Sequence, residues 1–266
     1  MTPAETLPSS REAVRGVTSG AWTPATASDG NPAGLSGPAT LMADQPTPGT
    51  GLPAWRSVLA VVAHPDDESF GLGAVLSAFA DAGATVSALC FTHGEASTVH
   101  GVAGDLAAVR VGELEAAARV LGASGVKLLG YPDGALAEVD LGELAAHVVE
   151  MASQVDADGL VAFDLDGVTG HPDHSRATAA GLCAARTLGL GLLGWTLPRN
   201  TADQLSEEHG TSFTGHLPSG LDVVITVDRA RQLDAIAEHR SQAVPGSVLW
   251  RRLELLGDRE HLRWLR

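Results

Sequence analysis

The chain has 266 residues, which is long enough for one sizeable domain or for one domain with a tail. Its formal net charge of -15 and its sequence pI near 4.9 argue against nucleic acid or an anionic membrane as a partner, because the electrostatic attraction behind such binding would have the wrong sign. These values favour a small-molecule partner that is neutral or cationic.

The two cysteines indicate a reducing compartment. Cys90 and Cys183 lie in apolar segments without a CxxC spacing, so we interpret both as reduced core residues and expect a cytoplasmic protein. No apolar run approaches the ~20 residues that a membrane-spanning helix needs. The first residues also lack a basic start followed by an apolar block, so no secretory signal is predicted.

Residues 1–53 differ from the rest of the chain in composition. They are rich in Pro, Ala, Gly, Ser and Thr and show no sustained hydrophobic period. Such a segment buries too little apolar area to offset its ordering entropy, so we expect a largely disordered tail. Residues 54–266 are predicted to form a single domain.

From Ser57 onward, short apolar runs rich in β-branched residues alternate with longer alanine-rich segments. Predicted strands cover residues 58–63, 85–92, 126–131, 159–164, 191–197 and 222–227. Predicted helices cover residues 68–82, 104–121, 141–154, 172–188, 200–209 and 229–243. The alternation predicts an α/β fold with a Rossmann-like, open and mostly parallel sheet that carries helices on both faces.

The tripeptide His-Pro-Asp occurs twice, each time after a predicted strand and at the start of a predicted helix. The first copy is part of AHPDDE at residues 63–68, and the second is part of GHPDH at residues 170–174. Proline suits the first helical position, because its missing N–H is not needed there. Since ligands of open α/β sheets bind beyond the carboxyl ends of the strands, we expect the two motifs to meet at one site.

The residue types in the two motifs suit a divalent metal ion. His64 and Asp67 are three residues apart, as are His171 and His174, and this spacing lets each pair approach one site around a helix start. Two imidazoles and a carboxylate form a common ligand set that leaves positions open for water and substrate. We predict His64, Asp67 and His174 as the ligands.

This assignment leaves three residues of the motifs for other tasks. Asp66 is free to take a proton from the attacking water. His171 remains available, and Asp173 is able to hold an imidazole in one orientation and to favour its charged form. A single His-Pro-Asp tripeptide is a reasonable helix start without any function, but two copies at strand ends with complementary ligand types favour a site.

AHPDDE followed by a distant HPDH resembles the LmbE-like, or PIG-L type, metal-dependent N-deacetylases. The resemblance extends over most of residues 57–243. Weaker matches to the family are T-x-G-E at residues 92–95, the R-x-x-E-L helix with Arg110, Glu113 and Leu121-Gly122, P-D-G at residues 132–134, and H-x-S-Q with His239, Ser241 and Gln242.

The resemblance implies a Rossmann-like sheet and a zinc ion held by His64, Asp67 and His174, with Fe²⁺ or another divalent ion as the alternative metal. It also implies that Asp66 is the general base and that His171 is the electrostatic partner of the reacting carbonyl. The implied reaction is removal of an N-acyl group, most often acetyl, from a small molecule that contains an amino sugar.

Further candidates come from the weaker matches. Arg110 is predicted to bind substrate hydroxyls or phosphate, against the alternative of a solvated ion pair on the helix surface. Asp133 and His239 are predicted to contact the substrate as well, although a turn aspartate and a surface histidine would need no function. His93 stands where the family has asparagine or another small polar residue, which makes it a candidate for substrate choice. Glu68 is expected to support the site from behind its ligands.

Two other classes of function share parts of this pattern. A 2-His-1-carboxylate iron oxygenase uses the same ligand types, but it places them on a double-stranded β-helix, which does not match the predicted alternation. A non-catalytic metal-binding or carbohydrate-binding module is the other alternative. N-acetylated glucosamines, mycothiol-type conjugates and acylated natural products all fit the same reaction, so the sequence does not single out one substrate.

Overall fold

The computed structural model describes residues 51–98 and 105–266. Residues 1–50 of the predicted tail lie outside this description. Residues 51–53, which composition assigned to the tail, lie inside it, and Leu52 packs against the hydrophobic core. Trp55 stacks on Phe79 with the ring centroids 5.7 Å apart, so the described chain begins against the main core.

Eight strands form one sheet in the order β3-β2-β1-β4-β5-β8-β7, with the short β6 paired to β5. The strands are β1 (Ser57–Val62), β2 (Thr85–Thr92), β3 (Ala123–Tyr131), β4 (Gly159–Phe163), β5 (Gly191–Pro198), β6 (Gly215–His216), β7 (Val223–Thr226) and β8 (Arg259–Trp264). The first five strands pair with one another in parallel, whereas β8 runs antiparallel between β5 and β7. The predicted open and mostly parallel α/β sheet is therefore confirmed.

Helices cover both faces of the sheet, as predicted. They are α1 (Gly73–Asp81), α2 (Leu106–Leu121), α3 (Leu141–Gln154), α4 (Pro172–Leu188), α5 (Arg199–His209), α6 (Ala230–Glu238) and α7 (Val248–Leu256). Every residue of β1 is buried, and successive side chains point to opposite faces. Val58 packs in a cluster with residues of α1 and α2, while its neighbour Leu59 packs in a second cluster with residues of α3 and α4.

Local sequence explains where several helices begin. The Asp105 side chain accepts a hydrogen bond from the Ala108 N–H at the start of α2. Asp140 caps α3 in the same way by accepting from the Glu143 N–H, and each cap satisfies a backbone donor that the helix itself leaves unpaired. Pro172 occupies the first turn of α4, as the His-Pro-Asp motif predicted.

Several features of the fold differ from the sequence-based prediction. The segment at residues 67–71 forms a π-helical turn before α1, β3 begins three residues earlier than expected, and α6 ends at Glu238. The helix α7 and the strands β6 and β8 were not predicted. β8 has the sequence REHLRW, in which only Leu262 and Trp264 are apolar, so it lacks the apolar run that marked the other strands.

The sequence predicted no membrane-spanning helix and two reduced cysteines. Within residues 51–98 and 105–266, no helix combines the length and the apolar character needed to cross a bilayer. Cys90 is buried, Cys183 is partly buried, and both are unpaired.

Candidate metal centre

The sheet brings the two His-Pro-Asp motifs together. β1 and β4 are adjacent parallel strands, with Leu59 paired to Leu160, so their carboxyl ends lie side by side. The strand order reverses direction here, because β2 lies on one side of β1 and β4 on the other. The rings of His64 and His171, which come from the two motifs, have centroids 4.7 Å apart.

The three side chains predicted as ligands converge on one point. His64 Nδ1 lies 3.1 Å from His174 Nε2, and Asp67 Oδ1 lies 3.2 Å from the same nitrogen. Asp67 Oδ2 lies 3.6 Å from His64 Nδ1. Ligand atoms that surround a tetrahedral zinc ion at its usual bond lengths are about 3.3 Å apart, so these distances suit a shared ion.

Two further carboxylates lie behind His64. Its Nε2 atom is 2.9 Å from Asp133 Oδ1 and 3.5 Å from Asp173 Oδ2, and this contact turns Nδ1 toward the common point. Burial lowers the pKa of His64, but hydrogen bonds with Asp133, Asp173 and Asp67 outweigh burial and raise the pKa to about 12. Three carboxylates around one imidazole leave an excess of negative charge, and the donor set therefore fits a divalent cation.

The other two candidate ligands are also held in place. Asp67 Oδ2 accepts a hydrogen bond from the His64 backbone N–H at 2.9 Å. Burial by itself would raise the pKa of Asp67, but His174 and His64 hold that pKa well below its usual range. The Nδ1 atom of His174 lies 2.8 Å from Thr169 Oγ1 and 3.3 Å from the Gly167 carbonyl, which leaves its Nε2 to face the common point.

His171 borders the same point from the start of α4. One nitrogen each of His64, His171 and His174 lies within 4.8 Å of the others. His171 Nδ1 accepts a hydrogen bond of 3.2 Å from the Asp173 N–H, so the ring has only Nε2 left as a donor. Burial lowers the pKa of His171, and the neighbouring His64 and His174 lower it further.

Asp66 has an unusual backbone conformation next to the candidate ligands. Its φ of 106° lies in the left-handed region, which residues with a side chain rarely adopt and which often marks a functional site. Its side chain retains 18% exposure, and Oδ2 lies 3.0 Å from Arg110 Nη2. Burial raises the pKa of Asp66 to about 6, although the charge of Arg110 opposes this.

Arg110 is buried, so it does not form the solvated ion pair on the helix surface that was the alternative to a site role. It is 2% exposed, and besides Asp66 it donates hydrogen bonds to the carbonyls of Gly94 and Pro65. The guanidinium thereby connects the loop after β2 with the loop after β1. Arg110 also lines the cavity. We therefore keep the proposal that it contacts the substrate, in addition to holding the two loops together.

The candidate centre opens into a cavity of about 580 Å³. The cavity wall includes His64, Asp66, Asp67, Arg110, Asp133, His171 and His174, together with apolar residues Phe70, Phe163, Phe213, Val248 and Leu249 and one more cation, Arg252. All three predicted ligands and the predicted base thus face the same space.

Four predicted site residues do not belong to this wall, and one of them, the buried Glu68, was expected to lie behind the ligands. Asp173 is fully buried and accepts hydrogen bonds from the N–H groups of Gly134 and Leu136, so the imidazole that it orients is that of His64. His239 is also fully buried, so a substrate has no access to it and it takes a supporting position instead. His93 is half-buried in the loop after β2 and lies outside the cavity lining.

A second group of metal-ligand types lies beyond β4, formed by Asp164, Asp166 and His216. The Asp164 carboxylate is 2.9 Å from Arg263 Nη1 and 2.8 Å from His216 Nε2. The guanidinium already neutralises this carboxylate. We therefore interpret the group as an ion-pair network that ties β8 to the loop after β4.

Sequence reasoning did not identify Thr169, Glu113 and Arg252 as site residues. Thr169 orients His174, and Glu113 accepts hydrogen bonds from the N–H and the hydroxyl of Ser241. The T-G-H sequence before the second motif was the available signal for Thr169. No sequence signal separates the buried Arg252 from its partly exposed neighbour Arg251.

The chain was compared with known families and proteins. A family model described as GlcNAc-PI de-N-acetylase matches residues 59–185. A 1D-myo-inositol 2-acetamido-2-deoxy-alpha-D-glucopyranoside deacetylase of Salinispora arenicola is 30% identical, and the match covers 70% of this chain and 73% of the relative. The enzyme of the same description from Kineococcus radiotolerans is 34% identical, and the match covers 55% of this chain and 50% of that relative.

Solved structures share the fold at lower sequence identity. The A40926 pseudoaglycone deacetylase matches with a TM-score of 0.60 and 24% identity, over 79% of this chain and 96% of that one. A 4-carboxy-2-hydroxymuconate hydratase from Pseudomonas putida also matches with a TM-score of 0.60, at 15% identity and over 79% of this chain and 96% of that one. Proteins with this fold thus catalyse more than one reaction, so the reaction has to be inferred from the residues of the site.

Proposed function

Because the chain belongs to the GlcNAc-PI de-N-acetylase (PIG-L) family, we propose that it is a metal-dependent hydrolase that removes an N-acyl group, most often acetyl, from a small molecule containing an amino sugar. The observation that carries the proposal is the convergence of His64 Nδ1, Asp67 Oδ1 and His174 Nε2 on one point, with the Asp66 carboxylate in the same cavity.

His64, Asp67 and His174 would hold the metal ion, and zinc is the ion that we propose. A bound zinc ion supplies a Lewis acid that lowers the pKa of water toward about 7 and polarises a carbonyl. The carboxylates of Asp133 and Asp173 behind His64 support this ligand by fixing its ring, as outer carboxylates do in many metal sites.

Asp66 is the proposed general base. A pKa raised to about 6 keeps the carboxylate mostly ionised at neutral pH while leaving it basic enough to accept a proton from the attacking water. The water oxygen then bonds to the amide carbon. Asp66 returns the proton to the nitrogen as the C–N bond breaks, and the products are a carboxylic acid and a free amine.

His171 is the proposed partner of the amide carbonyl oxygen. Its Nδ1 is occupied by the Asp173 N–H, so Nε2–H is the donor available to the negative charge that develops on that oxygen. Removal of one such donor typically slows turnover by about 100- to 1,000-fold. His171 lines the cavity, which supports this role.

The two alternatives have less support. An iron oxygenase of the 2-His-1-carboxylate type would place its ligands on a double-stranded β-helix, whereas the described residues form an open, mostly parallel sheet. A non-catalytic module would not need a strained aspartate with a raised pKa beside the ligands. The cytoplasmic location expected from the cysteines stays a prediction.

The test is an assay of free amine released from a panel of N-acetylglucosaminides by the zinc-loaded protein, with and without prior removal of metal by a chelator. We expect release that depends on the metal and persists under anaerobic conditions. We expect Asp66→Asn to retain its metal and to lose at least about 100-fold in kcat. Tight binding of the whole panel without amine release would instead support the module.

A further inference from the structure

The cavity contains a buried cation that the proposed hydrolysis does not use. Arg252 belongs to α7, is 1% exposed and lines the same cavity as the candidate metal centre. Its guanidinium carbon lies 4.8 Å from the ring centroid of Trp195, and Nη2 donates a hydrogen bond to the Phe70 carbonyl. These contacts fix the guanidinium plane, but neither of them provides a negative charge.

Arg252 differs from Arg110, the other buried arginine of the described residues, in lacking a carboxylate partner. Arg110 pairs with Asp66, Arg229 with Glu260, and Arg263 with Asp164. Within the described part of the chain, no carboxylate reaches ion-pair distance of Arg252, and its Nε has no hydrogen-bond partner. A buried charge without a partner is unfavourable, and such charges are normally paired or bind a ligand.

The arginine keeps its charge in spite of burial. Burial lowers the pKa of Arg252 to about 10, with Glu260 opposing this effect, so the guanidinium is still protonated at neutral pH. The apolar residues Phe70, Phe163, Phe213 and Leu249 line the same cavity as Arg252. A ligand that matched this region would combine an apolar body with an anionic group.

We propose that Arg252 forms an anion subsite, and that the preferred substrates of the hydrolase carry a carboxylate, phosphate or sulfate on an apolar part of the molecule. This inference rests on the proposed function. The net charge of the chain favoured a neutral or cationic partner, but a single desolvated guanidinium acts locally and is little affected by distant surface charge. The anion can belong either to the aglycone or to the acyl chain, and both carry the same recognition chemistry.

Two pairs of substrates distinguish these sources. The first pair is benzyl and 4-carboxybenzyl N-acetylglucosaminide, which differ only in the aglycone. The second pair is the N-butyryl and N-succinyl forms of benzyl glucosaminide, which differ at the end of the acyl chain. In one pair we expect kcat/KM of the wild-type protein to be roughly tenfold or more higher for the carboxylated member, since hydrogen bonds to charged groups are stronger than neutral ones.

Arg252→Gln should abolish this preference, and Arg252→Lys should restore part of it. Arg251→Gln is the matched control, because Arg251 is the adjacent residue of the same helix but pairs with Glu208 and Glu254 at the surface. It removes the same formal charge and should leave the preference intact. Equal kcat/KM values within both pairs for the wild type, or a preference that survives Arg252→Gln, would overturn the proposal.

Failure of the anion-subsite proposal can be distinguished from failure of the hydrolase proposal. If the wild type released no amine from any substrate, the hydrolase proposal would fail, and calorimetric binding of the two benzyl glycosides would then decide on the subsite. Tighter binding of the 4-carboxybenzyl compound that is lost in Arg252→Gln supports the subsite, and equal binding refutes it. Thermal unfolding of each variant shows whether it is folded, and if Arg252→Gln is not, the wild-type ratios and Arg252→Lys carry the test.

Discussion

The Nε2 atom of His239 lies 2.6 Å from Oε1 of Glu68, and both side chains are buried. Glu68 also accepts hydrogen bonds from the Asp66 N–H and from the Ser69 hydroxyl. Burial lowers the pKa of His239, but the charge of Glu68 outweighs it and raises that pKa, which indicates an ion pair. The pair therefore holds the left-handed backbone of Asp66 from the interior side.

Removing one partner of this pair should strongly destabilise the protein. We expect His239→Ala to lower the free energy of unfolding by roughly 3–5 kcal/mol, because the charge of Glu68 would remain buried without its cationic partner. The measurement is urea unfolding followed by circular dichroism. The exposed His209 offers a control, and His209→Ala should change the free energy by less than about 0.5 kcal/mol. Similar effects of the two substitutions would contradict the ion pair.

Asp173 should control how tightly the site binds zinc. We expect Asp173→Asn to weaken zinc binding by about 10- to 100-fold, because the carboxylate that orients His64 would be replaced by a neutral amide. Competition with a chromophoric chelator measures the affinity. Asp203→Asn in the exposed part of α5 makes the same chemical change away from the site and should leave the affinity unaltered. An unchanged affinity in Asp173→Asn would show that Asp173 has only a structural role.

Gly94 should be needed for the position of Arg110. A Cβ atom added at Gly94 would overlap Arg110 Nη1, whereas at Gly83 nothing lies within 4 Å of an added Cβ. Both glycines have positive φ, 64° and 90°, so alanine strains the backbone at both positions. Only Gly94→Ala should also displace Arg110 from Asp66 and lower kcat/KM, by up to about 100-fold. Equal kcat/KM values for the two alanine variants would argue against this role of Arg110.

His261 should make the protein less stable at mildly acidic pH. Burial lowers the pKa of His261, as do Arg259 and Arg229, while Glu260 acts in the opposite direction. In the unfolded chain the histidine has a pKa of about 6.5, so near this pH the unfolded chain binds more protons than the folded chain. The free energy of unfolding therefore falls as the pH drops below that value.

We therefore expect the free energy of unfolding to fall less in His261→Gln than in the wild type between pH 7.5 and pH 5.5. The same comparison with His209→Gln should follow the wild type. A parallel fall of the wild type and His261→Gln would show that His261 does not contribute to the acid sensitivity.

The sequence predicted the parallel strands and the meeting of the two motifs, because both follow from apolar runs and from the geometry of adjacent strand ends. The contacts behind the motifs depend on side chains from distant segments and left no local pattern. Asp133 reaches His64 from the turn after β3, and His239 reaches Glu68 from the end of α6. The burial of Arg252 depends on which side of α7 faces the cavity, and the WRRLEL sequence does not reveal this side.

The helix α7 lies outside residues 59–185, the segment that matches the family model, yet Arg252 and Leu249 of this helix form part of the cavity wall. All three candidate metal ligands, Asp66 and His171 lie inside that segment. The proposed reaction centre and the proposed anion subsite thus lie in separate stretches of one chain. Such a division lets the C-terminal stretch diverge, in nature or in a laboratory chimera, toward new acylated compounds while the reaction centre stays unchanged.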